Sequence, residues 1–403
     1  MTSHTPASST EILREPEDFS LVLGGPLFQL LRRSHLAGGA LELVRRRLII
    51  IPLLAWLPLL VLSALEGHAL GRNVAVPFLM DVEVHVRFLV ALPLLIVAEL
   101  VVHQRMRFVV RQFLERHLIA ESALPRFDAA IASALRLRNS VLAEVLLIAF
   151  VYTVGVLLIW RQYMALYTAT WYAAPTVTGL QLSRTGVWYG YVSLPIFQFL
   201  LMRWYFRMFI WARFLWQVSH LDLCLLPTHP DRVGGLGFLA NTVYAFVPLA
   251  VAHGAMLAGP LANRIFYLGA ALPEFKPEIA VLVVFLVCVV LGPLLVFAPK
   301  LAETKRTGNR EYGTLAQRYV REFDTKWLRG GAPVDESLVG SGDIQSLADL
   351  SNSFEVVRTM RIAPVTTEAL LRLVVATLVP LVPLALTMMS LEELLKRLIG
   401  LMF

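Results

Sequence analysis

Charged residues are scarce in this chain of 403 residues. Asp, Glu, Lys and Arg make up only 16% of it, whereas soluble proteins carry about 25% charged residues. Hydrophobic residues make up 57% and the mean hydropathy is +0.66, which is more apolar surface than one soluble core can bury. Lipid must therefore be part of the solvent. Because helices satisfy their own backbone hydrogen bonds in lipid, the composition predicts an all-α, polytopic transmembrane helical bundle.

Cysteine is scarce as well. The chain has only Cys224 and Cys288, which excludes a framework of several disulfides. The first 20 residues lack a basic stretch followed by an apolar one, so we expect no cleaved signal peptide. This segment is polar and contains two prolines, and it predicts a mobile N-terminal tail over residues 1–20.

Uncharged or nearly uncharged apolar runs predict about seven spans, most of them near the length that crosses a bilayer. The predicted spans cover residues 48–65, 88–102, 141–160, 188–202, 236–261, 279–298 and 369–389. Residues 21–298 would then form a bundle with spans one to six. Residues 299–365 would form a cytoplasmic helical segment, whose first helix continues out of span six and ends at Gly330. Residues 366–403 would form the seventh span and a short C-terminal amphipathic helix.

The distribution of basic residues predicts the orientation of this bundle. Twenty-seven of the 36 lysines and arginines fall in segments that the seven-span layout places on one side, and basic loops stay in the cytoplasm. The sequence therefore predicts an inner-membrane protein with a cytoplasmic N-terminus. The net charge of +7 then reflects basic residues in cytoplasmic loops. We expect the lipid bilayer and its anionic headgroups as partners, and no nucleic acid. The sequence also allows a homo-oligomer and a cytoplasmic protein partner.

The loop after the third predicted span, residues 161–187, is rich in tyrosine and tryptophan and has few basic residues. Aromatic side chains are common at headgroup depth. We therefore expect this loop, including Trp171, to lie at the outer interface.

Residues 216–239 are the stretch richest in groups that can do chemistry. They contain a repeated His-x-Asp pattern, His220 with Asp222 and His229 with Asp231. Imidazole and carboxylate together suit a divalent metal ion. Alternatively, Asp231 caps the helix of the fifth span, because carboxylates favour helix N-termini. The three glycines at 234, 235 and 237 lack the Gly-Lys-Ser/Thr of a nucleotide loop and predict a tight turn with close helix packing.

Three of the ionisable side chains inside predicted spans are candidates for transport. They are Glu99, Glu144 and His253. An acidic group within a span is costly and usually faces a partner or a water-filled cavity, where it can relay protons or bind cations. The alternatives are that the glutamates pair with a nearby arginine such as Arg105 or Arg138, and that His253 is a packing residue.

Three arginines follow the fourth predicted span, separated by aromatic residues. The irregular spacing of Arg203, Arg207 and Arg213 does not match a voltage sensor, which repeats arginine every third residue. We expect these side chains to extend to the interface and contact lipid phosphates.

Two stretches resemble segments of bacterial polytopic inner-membrane proteins whose activity is uncharacterised. They are PTHPDRVGGLGFL at residues 227–239 and GSGDIQSLADLSNSFEVVRTMR at residues 340–361. The resemblance implies a bacterial inner membrane and adds no mechanism.

The leading functional expectation is a transporter or channel for protons, cations or a small solute, in which Glu99 and Glu144 take part. One alternative is a membrane-embedded metalloenzyme that acts on a lipid-type substrate through the His-x-Asp residues. Another is a non-catalytic scaffold that docks a cytoplasmic partner on the helices after Pro299. For the scaffold, deletion of residues 340–361 is expected to leave the bundle folded.

Overall fold

The structure is a computed structural model with side chains, and it describes residues 19–22, 24–26, 29, 42–70, 74–160, 170–176 and 179–388. Two of the predicted segments lie outside these residues: nearly all of the N-terminal tail and the C-terminal amphipathic helix.

Most of the described part of the chain is helical, and its two strands form one short hairpin. The helices are α1 (Glu42–Leu65), α2 (Val82–Glu115), α3 (Leu124–Arg138), α4 (Val141–Phe150), α5 (Leu194–Ser219), α6 (Leu236–Leu268), α7 (Leu272–Leu328), α8 (Gly342–Arg358) and α9 (Thr367–Ala385). The hairpin pairs β1 (Ala173–Thr176) with β2 (Gly179–Leu182) in antiparallel register, with Ala173 opposite Leu182. Further π-helical turns extend α4 to Trp160 and precede α5 at Tyr189–Ser193.

Five of these helices are long and apolar enough to cross a membrane: α1, α2, α6, α7 and α9. A sixth candidate arises if Glu121–Arg138 and Val141–Leu157, which meet at 47°, count as one broken span. Helix α5, which contains part of the fourth predicted span, is not among the candidates, and it carries three arginines. The described chain is thus an all-helical protein with five or six candidate spans, where the sequence predicts about seven.

Two helices widen into a π turn just before a proline. The π turn Val86–Ala91 in α2 precedes Pro93, and the π turn Tyr189–Ser193 precedes Pro195. Proline lacks the amide hydrogen and its ring collides with the carbonyl one turn earlier. The wider turn removes that collision while the chain stays helical.

Helix α6 lies at the centre of the bundle, and two glycines let its neighbours approach closely. A Cβ atom on Gly254 would lie 2.0 Å from the carbonyl oxygen of Thr377 in α9. A Cβ atom on Gly259 would lie 2.9 Å from the Cα atom of Glu83 in α2. Backbones that pack this closely require residues without side chains at the contact.

One end of the bundle extends well beyond the apolar segments. We call it the basic end, because α1 begins there with Arg45 and its two arginine neighbours. Helix α7 continues past this end, and its 57 residues give it a length of about 85 Å. Helix α8 packs back against α7 at Gly308, where a Cβ atom would lie only 3.0 Å from the Val357 side chain of α8. The end of α7 before Gly330, which has a φ of +75°, matches the predicted helix end.

The opposite end contains the hairpin, which the sequence predicted as a loop of interfacial aromatics. Trp171 is fully buried and donates a hydrogen bond from Nε1 to Asp81 Oδ2 at 2.8 Å. The same carboxylate accepts from Asn263 Nδ2 at 2.8 Å. This tertiary hydrogen bond holds the indole inside the protein, and the depth of the loop in a bilayer stays a prediction.

Candidate functional site

Five charged side chains from four helices meet inside the bundle near the basic end. We call this group the Arg–Glu cluster: Arg47 of α1, Glu99 of α2, Glu144 of α4, and Arg203 and Arg207 of α5. Each of these residues is at most 8% exposed. Two of the three predicted transport residues therefore lie in one site.

Glu99 is the centre of this cluster. Its Oε1 atom accepts a hydrogen bond from Arg207 Nη2 at 2.7 Å, and its Oε2 atom accepts one from Arg47 Nη2. Arg203 lies between the two carboxylates, with Nη1 at 3.9 Å from Glu99 Oε1 and Nε at 3.5 Å from Glu144 Oε1. The two glutamates are therefore joined through one guanidinium group.

Three arginines against two glutamates give the cluster a formal charge of +1. A buried charge is tolerated only with partners, and removing one partner of a buried ion pair costs about 3–5 kcal/mol. The cluster is therefore a strongly coupled element that holds α1, α2, α4 and α5 together. Its surplus positive charge makes it attractive to an anion.

Local sequence explains how the side chains converge. Arg45 and Arg46 are exposed, whereas Arg47 is buried, because only one of three consecutive helical residues can face the neighbouring helices. Arg203 and Arg207 are four residues apart and so share a helix face. The guanidinium of Arg207 also lies over the Trp204 ring at 4.9 Å, a favourable cation–π contact.

Contact between the α5 arginines and lipid phosphates stays a prediction, and the structure gives Arg203 and Arg207 partners inside the protein. Arg203 and Arg207 are 7% and 4% exposed, because the two glutamates offer them partners inside the protein. Arg213 donates a hydrogen bond from Nη1 to Ser133 Oγ of α3 at 2.7 Å. The glutamates pair across helices with these arginines and Arg47, and neither Arg105 nor Arg138 forms a described ion pair with them.

A cavity of about 190 Å³ adjoins the cluster. Its lining comes from α1, α2 and α5 and combines charged and apolar side chains. The lining residues are Arg47, Ile51, Leu54, Leu95, Ile96, Glu99, Ile196, Phe199, Leu200, Arg203 and Trp204. At the charged end, Arg47 Nε is buried and has no hydrogen-bond partner among the described residues.

His253, the third transport candidate, lies apart from the cluster in a packed position. It is 3% exposed, and its Nδ1 atom lies 2.7 Å from the carbonyl oxygen of Leu249. Because a carbonyl only accepts, Nδ1 carries the proton and Nε2 accepts from the Tyr205 hydroxyl at 2.7 Å. Both ring nitrogens thus have a hydrogen-bond partner. This agrees with the alternative that His253 is a packing residue.

Asp231 forms the cap that was one of its two predicted roles. Its Oδ1 atom accepts from the amides of Val233 at 2.8 Å and Gly235 at 3.2 Å, and its Oδ2 atom accepts from the amide of Gly237 at 2.8 Å. Burial favours a raised pKa for the Asp231 carboxyl, but these amides and the nearby His229 hold the pKa below its usual range. Asp231 therefore closes the turn that starts α6.

The His-x-Asp residues do not converge on one point. His229 Nδ1 lies 2.9 Å from Asp231 Oδ1, whereas the His220 ring contacts the Trp216 ring in a tilted arrangement and its Nδ1 atom lies 2.8 Å from the Trp216 carbonyl oxygen. Within the described residues, no group of three or more His, Cys, Asp or Glu side chains is placed to hold a metal ion. The structure thus brings together one pair of the four predicted ligands.

The turn around Asp231 also anchors the segment after α8. The amide of Arg361 donates to the Arg232 carbonyl at 2.7 Å, and Arg361 Nη2 donates to the Asp231 carbonyl at 3.2 Å. Met360 is 1% exposed. Deletion of residues 340–361 would remove these contacts, and the expectation that the bundle stays folded without them remains a prediction.

Sequence reasoning missed Arg47 as a site residue, because its two arginine neighbours made it resemble an orientation signal. A detectable indication was its spacing: Arg47, Ile51 and Leu54 lie on one helix face. A charge on a face that is otherwise apolar indicates a buried partner.

The fold and this site define a class only: a helical protein with several helices long and apolar enough to span a membrane, and a buried ionic site among them. Comparison with known protein families, with curated proteins and with solved structures finds no match.

Proposed function

We propose that the protein is an integral membrane transporter whose solute contacts the Arg–Glu cluster. The observation that supports this proposal is the sharing of Glu99 among three buried guanidinium groups from two other helices. A solute that takes one guanidinium away from Glu99 or Glu144 changes the ion pairs between helices. Binding can then shift the arrangement of α1, α4 and α5, which is the requirement for coupling a ligand to a conformational change.

The composition of the cluster favours an anion as the solute. Its formal charge is +1, and both carboxylates have arginine partners. A cation would have to displace an arginine from a buried carboxylate, whereas an anion adds the missing negative charge. Proton or cation transport through Glu99 and Glu144 stays a prediction from the sequence, as do the metalloenzyme and scaffold alternatives.

We also propose that the protein lies in a bacterial inner membrane with its basic end in the cytoplasm. Support comes from the concentration of lysines and arginines at that end, which follows the positive-inside rule, and from the resemblance of residues 227–239 and 340–361 to bacterial membrane proteins.

Transport can be tested with purified protein in proteoliposomes. Currents would be recorded after jumps in phosphate or carboxylate concentration and after jumps in sodium, potassium or pH, and movement of fluorescent phosphatidylglycerol between leaflets would be followed in parallel. We expect movement of an anion, abolished by Arg203→Gln. Arg213→Gln is the matched control, because it lies on the same helix and bonds to Ser133 outside the cluster.

Two results would contradict this proposal. One is the absence of protein-dependent movement for every anion tested. The other is equal activity of the Arg203→Gln and wild-type proteins, which would separate the cluster from transport.

A further inference from the structure

The cavity beside the cluster is an elongated groove between α1 and α5, with α2 as its floor. The α1 residues that line it, Arg47, Ile51 and Leu54, follow the spacing of one helix face. The seven-residue separation of Arg47 and Leu54 corresponds to about 10 Å along the helix axis. The lining of the groove thus extends about 10 Å along α1.

The groove is polar at one end and apolar along the rest of its length. The polar end has Arg47, Glu99 and Arg203 and lies close to the start of α1 at the basic end. The apolar remainder is lined by aliphatic and aromatic side chains such as Ile51 and Phe199. A ligand that matches this lining has a charged group at one end and a hydrocarbon chain.

The groove is accessible from the apolar outer surface of α1. Leu54 lines it and yet is 52% exposed, on a helix whose other faces also expose leucine and isoleucine. A bilayer lipid can therefore enter sideways with one acyl chain. A small soluble anion would occupy only the polar end and leave the apolar length without a partner.

Arg47 provides the second, independent indication of a ligand. The residue is 8% exposed, and its Nε atom has no hydrogen-bond partner among the described residues. A buried donor without a partner is costly. Guanidinium groups bind phosphate oxygens through parallel hydrogen bonds, so a phosphate at the polar end would satisfy Nε and offset the surplus positive charge.

We infer that this groove binds an anionic lipid of the surrounding bilayer, with its phosphate at Arg47 and Arg203 and one acyl chain between α1 and α5. This inference rests on the proposed function, because it identifies an anionic lipid as the anion that binds at the Arg–Glu cluster. Arg203 is buried from water, but it faces this groove, and lipid phosphate reaches it from within the bilayer.

The test is a binding measurement on the full-length protein in detergent. Phosphatidylglycerol, phosphatidylcholine with the same chains, and glycerol phosphate without chains would be titrated, with bound molecules counted by native mass spectrometry. We expect phosphatidylglycerol to bind about tenfold more tightly than phosphatidylcholine, a difference of about 1.4 kcal/mol, and glycerol phosphate to compete weakly. Equal binding of the two lipids would overturn recognition of charge. Full competition by glycerol phosphate would overturn the role of the chain.

A groove-filling variant tests the location. Leu54→Trp places a bulky side chain in the groove from an exposed position, so the fold is preserved, and it should weaken phosphatidylglycerol binding about tenfold. Leu57→Trp is the matched control, because Leu57 is 45% exposed on the same helix and does not line the groove. Equal lipid binding by both variants and the wild type would place the lipid elsewhere and overturn the inference.

Failure of this inference is distinguishable from failure of the proposed function. Lipid binding is measured without transport, so tight, Leu54-dependent binding with no transport would support the lipid site and contradict the transporter. Transport that requires Arg203, together with no preference for anionic lipid, would support the transporter and overturn the lipid site.

Discussion

Glu99 is the residue on which most of the buried charge depends. Its two oxygens have three arginines as neighbours, two within hydrogen-bond distance and Arg203 at 3.9 Å. Each arginine is buried and always charged. Loss of the Glu99 charge would therefore leave three guanidinium groups with only Glu144 to balance them.

We predict that Glu99→Gln lowers the free energy of unfolding by about 3–5 kcal/mol, since an amide cannot balance the buried arginines. Denaturant titration in micelles would measure this change. Glu115→Gln is the control on the same helix: its pair with Arg111 has a 3.6 Å separation and an exposed carboxylate, so the change should stay within about 1 kcal/mol. Equal destabilisation by the two variants would contradict the importance assigned to the cluster.

The sequence identified the members of this cluster only in part. Glu99 and Glu144 stand out because carboxylates are costly in apolar helices, and that reasoning placed both in the site. Their partners depend on which faces of α1 and α5 turn inward, and this is set by tertiary packing. Sequence alone therefore assigned Arg203 and Arg207 to lipid headgroups and Arg47 to the orientation of the first span.

At the scale of elements, the start of α6 depends on the carboxylate of Asp231. It accepts three backbone amides in a turn that needs Gly234 and Gly235 at φ values of +65° and +97°. Glycine adopts such backbone angles without strain. This cap was predictable because the Asp, the glycines and the following apolar run are adjacent in sequence.

We predict that Asp231→Asn destabilises the protein by about 1–2 kcal/mol at neutral pH, because one acceptor oxygen becomes an NH2 group. The pKa of Asp231 is held below its usual value of 3.8 in the folded protein. Its contribution is therefore complete above that value and is lost as pH falls through the folded pKa, so the variant and the wild type should converge in acid.

Unfolding measured at neutral pH and in steps below about pH 4 would follow this convergence. Asp222→Asn is the control in the same loop, because Asp222 is exposed. A stability gap between Asp231→Asn and the wild type that stayed constant with pH would show that the Asp231 charge does not contribute.

Element boundaries were predictable where the signals are local. The end of α7 before Gly330 follows from the glycine and proline that come next in the sequence. The hairpin of β1 and β2 was missed, because it is stabilised through Trp171 and the distant Asp81. The predicted count of seven spans includes residues 188–202, which lie mostly in α5, and this helix with its three arginines is not among the candidate spans.

At the scale of the whole molecule, the basic end and the opposite end differ in both charge and construction. The basic end contains the Asp231 turn, α8 and the last part of α7. The opposite end contains the hairpin and the carboxylate of Asp81. We expect an asymmetry of this kind to orient the bundle in a bilayer.

Cysteine labelling can measure that orientation. Both cysteines are exposed, and Cys224 lies in the loop at the basic end, so Cys288→Ser leaves one accessible thiol there. We predict that a membrane-impermeant maleimide labels this variant in inside-out vesicles and leaves it unlabelled in intact cells, while Cys224→Ser in the same background abolishes labelling. Labelling of Cys224 in intact cells would place the basic end outside.

Helix α7 has a mechanical consequence because it is continuous from the opposite end of the bundle to well past the basic end. The part from Ala298 to Leu328 has 31 residues, or about 46 Å. A tilt of the apolar part by about 10° would therefore move Leu328 through roughly 8 Å, given that helical rise. A rigid helix of this length would enlarge a small tilt of its apolar part, and the contacts of Arg361, just after α8, tie the same region to the Asp231 turn.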